Sequence, residues 1–187
     1  MTTKITDAPT VDGDIPTSPE ESPVEPAIAR RTARWLEMQG FSCATRPDAE
    51  ALVPWLRFSP GLTTVVVVVG TALASPLLLG ALSLVTGVCA ATQRHPFDLV
   101  YDRVLRPVTG SPALPRNPVP RRFACGIATG WLVTTALAFL AGAALAGYAL
   151  GALLVVLGTL VATTHLCVGS LVYQLLTGRL SERHAAP

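Results

Sequence analysis

Apolar residues crowd into two long tracts of this chain, 58–93 and 123–178, and neither tract contains an Asp, Glu, Lys or Arg. A helix crosses the hydrocarbon core of a bilayer with about 20 residues at ~1.5 Å rise each. The first tract is too long for one span and the second has room for two, so each is expected to fold as a helical hairpin. Punctuation inside the tracts places the breaks. Ser59-Pro60 and Ser75-Pro76 each set an N-cap residue before a proline at the first helical position, where the missing N–H is harmless. Helices are therefore expected over 60–74 and 76–92. The first of these is short: either it lengthens as residues 55–58 join it while Arg57 snorkels, or the pair is a re-entrant hairpin that dips in without crossing, full crossing being the favoured alternative. In the second tract helices are expected over 123–140 and 148–168, joined by a Gly/Ala-rich turn at 142–147.

Polar residues dominate the rest of the chain, and two stretches there are amphipathic. Residues 27–39 place Ile28, Trp35 and Leu36 on one side and Arg30, Arg31, Arg34 and Glu37 on much of the remainder, with Gly40 ending the helix. After His95-Pro96, the residues Phe97, Val100, Tyr101, Val104 and Leu105 recur at helical spacing, Asp98 and Arg106 complement the helix dipole, and Asp102 can pair with Arg106 four residues on. Pro107 is expected to stop this helix, and the prolines from there to Pro120 to stretch the chain into a stiff strap. The organisation that follows is a Pro-rich acidic tail (1–26), a cytoplasmic interfacial segment (27–58), a first membrane hairpin (59–93), a cytoplasmic loop (94–122), a second hairpin (123–178) and a short tail (179–187). The first tail has almost no large apolar residue, so it is expected to be disordered. Trp35, Trp55, Phe97, Tyr101 and Tyr173 are the expected membrane-interface aromatics.

Charge gives the orientation. The basic residues fall before the first hairpin (Lys4, Arg30, Arg31, Arg34, Arg46, Arg57), between the hairpins (Arg94, Arg103, Arg106, Arg116, Arg121, Arg122) and after the second (Arg179, Arg183). The two outer turns hold none. The positive-inside rule puts all basic segments in the cytoplasm, which requires an even number of spans. The expectation is an all-α membrane protein of two transmembrane hairpins, four spans in all, with interfacial amphipathic helices and both termini cytoplasmic. All basic residues except Lys4 are Arg, a bias that points to a bacterial plasma membrane protein.

No nucleotide loop, metal-ligand spacing or nucleophile motif occurs, so an enzyme is not the favoured reading and no cofactor is expected. Thiols are the candidate chemistry. Cys89, Cys125 and Cys167 lie at similar expected depth, and His165 is two residues from Cys167; thiolates and imidazole are ligands that soft metals prefer. Cys is also a small apolar residue common in helix cores, and a histidine near a helix end can be satisfied by hydroxyls or carbonyls. Structural roles are the simpler reading of these four residues. The pairs Gly126/Gly130 and Gly147/Gly151, with Gly158 further along, allow close helix packing within the chain or against a second copy.

Three function classes remain: a non-catalytic accessory or assembly subunit of a larger membrane complex, which the scarcity of intramembrane polar groups favours; a thiol-redox or metal-handling protein using Cys89, Cys125, Cys167 and His165; and a small-solute carrier or channel, for which only Thr134, Thr135, Thr159, Thr163 and Thr164 could line a path. The lipid bilayer is the expected partner, with a larger membrane complex and a second copy as candidates, and no nucleic acid.

The order of parts resembles the bacterial membrane family catalogued as domain of unknown function 4395. The matching pieces are Arg57-Phe58, Arg106-Pro107, Pro120-Arg121-Arg122-Phe123, and the closing run Leu166-Cys167-Val168-Gly169-Ser170-Leu171-Val172-Tyr173. The resemblance covers about 54–176. It implies the two-hairpin architecture and no activity. Its closing pattern has a second cysteine where this chain has Ser170.

Overall fold

The computed structural model describes residues 30–41 and 49–178; the expectations for 1–26 and 179–187 fall outside them. Every regular element among the described residues is helical: α1 Arg30–Met38, α2 Ala49–Leu52, α3 Phe58–Ala72, α4 Pro76–Ala91, α5 Pro96–Val100, α6 Arg106–Thr109, α7 Val119–Leu140, α8 Ala144–Thr164 and α9 Val168–Leu176. A 3₁₀ turn at Trp55–Arg57 runs into α3, and a π segment at Tyr101–Leu105 joins α5 to α6. Trp55–Ala72, α7 and α8 are each long and apolar enough to cross a membrane. The fourth wall is α4, with 16 residues, which turns by 88° into Pro96–Thr109.

The four long helices form a bundle. Sequential neighbours α3/α4 and α7/α8 are hairpins, and the hairpins close on each other through α4 against α7 and α3 against α8. Polarity is inverted relative to a water-soluble bundle. Thr71, Ser83, Thr86 and Thr135 are buried, while Leu77 and Leu145 are 82% and 86% exposed on the outer face. An apolar exterior around a core holding small polar residues is what a lipid solvent requires. The chain is an all-α membrane protein.

Small residues set the helix spacing. Thr71 abuts Gly151 and Thr64 abuts Gly158, so these two glycines of α8 sit in one antiparallel seam with α3. Gly147 packs against the Phe139 ring, closing the α7/α8 turn, and a Cβ placed on Gly126 would meet Ala90 Cβ of α4 at 3.8 Å. Gly130 faces open space, with no atom within 4 Å of the position its Cβ would take, so it has no packing role inside the chain.

Several local expectations are corrected. Ser59 does not cap the first helix, because the Trp55–Arg57 turn already starts it; the Ser59 hydroxyl is buried and donates to Asp98 Oδ1. Ser75 does cap α4, accepting from Leu78 N at 3.3 Å. Pro107 does not stop the loop helix. The π segment precedes it, the proline sits in the first turn of α6, and the helix ends at Gly110, whose φ is +63°. Asp102 pairs with Arg94 at 3.7 Å instead of Arg106.

Two more corrections concern positions assigned from sequence. Tyr101 is not an interface residue: it is fully buried, stacks on Trp55 and Phe58 at 5.0 and 6.0 Å, and donates to Pro112 O at 3.3 Å. Trp35, Trp55, Phe97 and Tyr173 remain half-buried. The second hairpin ends sooner than expected. His165 adopts a left-handed conformation (φ +60°) that terminates α8 at Thr164, and α9 begins three residues later and packs on α7.

A candidate thiol centre at the loop end of the bundle

The end of α4 and the start of α7 are held together by the loop that joins them. Arg122 donates from Nε to Ala90 O at 3.1 Å and from Nη2 to Ala91 O at 3.0 Å, satisfying last-turn carbonyls of α4 with a cation, as a helix C-terminus favours. The strap returns over the same point, with Asn117 N donating to Gln93 O at 2.8 Å and Asn117 Nδ2 to Cys89 Sγ at 3.5 Å. One turn deeper, Thr129 Oγ1 donates to Thr86 Oγ1 at 2.9 Å across the helices. Between these two clamps lie Cys89 and Cys125.

The 88° bend after α4 adds a third group. Cys89 Sγ, Cys125 Sγ and a ring nitrogen of His95 all lie within 4.8 Å of one another. Cys89 is fully buried, His95 is buried and Cys125 is half-buried. Burial pushes His95 down to about 4; Asp98 opposes this and Arg121 adds to it. The imidazole is therefore neutral near pH 7. Its Nδ1 accepts from Phe97 N at 3.2 Å as the N-cap of α5, which leaves the ring proton on Nε2.

The four residues proposed from sequence divide. Cys89 and Cys125 come together. Cys167 lines a cavity that Cys125 also lines, but it is outside the close cluster. His165 is occupied elsewhere: its Nε2 accepts from Arg57 Nε at 2.9 Å and its carbonyl accepts from Gln39 Nε2 at 2.5 Å. Burial, then the Arg57 charge, hold this histidine down at about 4. The four-residue metal set is thus not assembled as such. His95 was missed, although it lies six residues beyond Cys89 just past the end of its helix.

Ser170 is buried with no partner for its hydroxyl. A buried orphan hydroxyl costs about 1–3 kcal/mol, and a thiol there would be less polar. Ser170→Cys is expected to stabilise the chain by about 1 kcal/mol, read as a higher detergent-unfolding midpoint in SDS titration of the purified protein. A lower midpoint would mean the site is tuned to the smaller oxygen.

These features define a helical membrane protein with a buried thiol pair at one end of its bundle. The chain belongs to the family described as domain of unknown function (DUF4395), whose family model matches residues 53–177, within one residue at each end of the span the motifs suggested. No curated protein and no solved structure matches it.

Proposed function

We propose that this protein is a thiol-redox membrane protein in which Cys89 and Cys125 alternate between dithiol and disulfide. The observation that carries this reading is the juxtaposition of two thiols and an imidazole within 4.8 Å at a clamped helix–helix contact. A metal-ligating imidazole ordinarily donates its second N–H to an acceptor. Here Nδ1 accepts from Phe97 N, so the imidazole proton resides on Nε2; in this reading that N–H is the donor available to a thiolate, the reactive form in disulfide exchange.

An accessory subunit would be expected to offer docking surfaces on its cytoplasmic segments. The apolar face of α1 is used within the chain instead: Ala33 and Leu36 pack with Phe41, Leu52 and Leu56, and Met38 O accepts from Gln174 Nε2 of α9 at 3.1 Å. The Arg-rich loop, through the positive-inside rule, supports a reading in which the thiol end faces the cytoplasm of a bacterial plasma membrane, with four spans and both termini inside. In that reducing compartment the dithiol is the resting state.

Treatment of native membranes with diamide, followed by peptide mass spectrometry, is expected to yield a Cys89–Cys125 disulfide with Cys167 still open to alkylation. A chain that instead retains one zinc ion through Cys89 and Cys125 against a chelator, and resists diamide, belongs to the metal-handling class.

A further inference from the structure

The two thiols of the centre differ in access. Cys89 is fully buried, and the Asn117 side chain of the strap donates to its sulfur. Cys125 is half-buried and lines a half-open cavity of about 320 Å³ between α3, α7, α8 and α9, of whose lining Cys89 is no part. Disulfide exchange requires one sulfur to approach another directly, so access decides which thiol can meet a partner.

Charge at the thiol end of the cavity has one sign. Arg121 is the only charged side chain in the lining among the described residues. It precedes Cys125 by four residues, which puts both on one face of α7, about 6 Å apart along the axis. Its guanidinium lies over the Phe41 ring, 5.3 Å from the centroid, and has no carboxylate partner among the described residues. Asp98 is taken by the Ser59 hydroxyl and is outside the lining, and His95 is neutral.

We infer that Cys125 is the thiol that exchanges with a partner and Cys89 the thiol that resolves the exchange, and that the partner is a small anionic disulfide drawn to Arg121; the inference rests on the thiol-redox reading above. The Cys125 thiolate attacks one sulfur of the partner. The partner's S–S bond breaks, a mixed disulfide forms on Cys125, and one half leaves as a thiolate. The Cys89 thiolate then attacks Cys125 Sγ, the second half leaves, and the Cys89–Cys125 disulfide remains. Two electrons pass from the chain to the partner, and the two thiol protons end on the two departing halves. Cys89 needs no opening for its step, because it meets only Cys125. An excess of the partner's thiol form runs both exchanges backwards and restores the dithiol.

The test uses the full chain in detergent, carrying Cys43→Ser and Cys167→Ser, reduced and freed of reductant. Limiting iodoacetamide should label Cys125 at least tenfold faster than Cys89. The disulfide probes are dithiodipropionate, which is anionic, and cystamine, which is cationic. Dithiodipropionate is expected to give the Cys89–Cys125 disulfide, to stop at a mixed disulfide on Cys125 when Cys89→Ser is added, and to leave Cys89 unmodified when Cys125→Ser is added. Arg121→Gln should lower the ratio of the dithiodipropionate rate to the cystamine rate about tenfold, and any effect of Arg121 on the thiolate itself cancels in that ratio. Faster labelling of Cys89, or a mixed disulfide trapped on it, overturns the assignment of roles. An unchanged ratio overturns the anionic partner. A disulfide that forms with diamide but with neither probe overturns the whole inference and leaves the thiol reading standing, whereas no disulfide with any reagent removes both.

Discussion

Cys125→Ser protein exposed to diamide is expected to form no intrachain disulfide, whereas Cys167→Ser protein forms it at the rate of the unaltered chain. The contrast follows from placement, since Cys125 lies in the cluster with Cys89 and His95 and Cys167 does not. Cys89→Ser should behave like Cys125→Ser. It is also expected to fold, because a serine hydroxyl keeps an acceptor for Asn117 Nδ2, and the change should cost about 1 kcal/mol. His95 separates chemistry from architecture. His95→Asn keeps a strong N-cap for α5 while removing the imidazole. A hydrogen bond from Nε2–H to the thiolate would contribute about 1.5–3 kcal/mol, and its loss would reduce the thiolate fraction by roughly ten- to a hundredfold. The less acidic thiolate is intrinsically more nucleophilic, which recovers part of that loss. Disulfide formation in His95→Asn is therefore expected to slow about three- to tenfold, with an unchanged unfolding midpoint. An unchanged rate would reduce His95 to a helix cap.

What could be seen in the sequence was whatever depends on local pattern. The charge-free tracts are long enough that only paired helices fit them, and the Ser75-Pro76 cap lies entirely within four residues. Ser59-Pro60 shows the same local signal, yet Ser59 is inside a helix because Trp55–Arg57 turns first, and its hydroxyl is claimed by Asp98 from 39 residues away. Arg57 read as a snorkelling side chain, and nothing near it in sequence announces His165, 108 residues on. The thiol centre divides in the same way. Cys89 and Cys125 were legible as residues of similar depth on the two helices that flank the cytoplasmic loop. His95 was legible only as the opening of a helix, since its arrival beside them depends on the bend after α4, which packing sets. The cavity has no sequence signature.

Gly158→Leu is expected to prevent the two hairpins from docking, and Gly158→Ala to destabilise the fold by about 1–3 kcal/mol, the usual range for overpacking. A Cβ at this position runs directly into the Thr64 side chain, as one at Gly151 runs into Thr71. Thr64 and Thr71 are seven residues apart, and so are Gly158 and Gly151 in the reverse direction, which is the register of one antiparallel seam. In lipid no hydrophobic force presses helices together, so close backbone approach supplies much of the association. Thr64→Ala should rescue Gly158→Ala, because it returns the lost volume and gives up only a local bond from Thr64 Oγ1 to Pro60 O. SDS titration in micelles, followed by tryptophan fluorescence, measures both variants and the pair. Failure of the rescue would show that Gly158 is needed for its backbone and not for the space beside it. The outcome also bears on the thiol pair: the hairpins meet through α4 against α7 as well as α3 against α8, so hairpins that fail to dock in Gly158→Leu should also fail to form the Cys89–Cys125 disulfide with diamide.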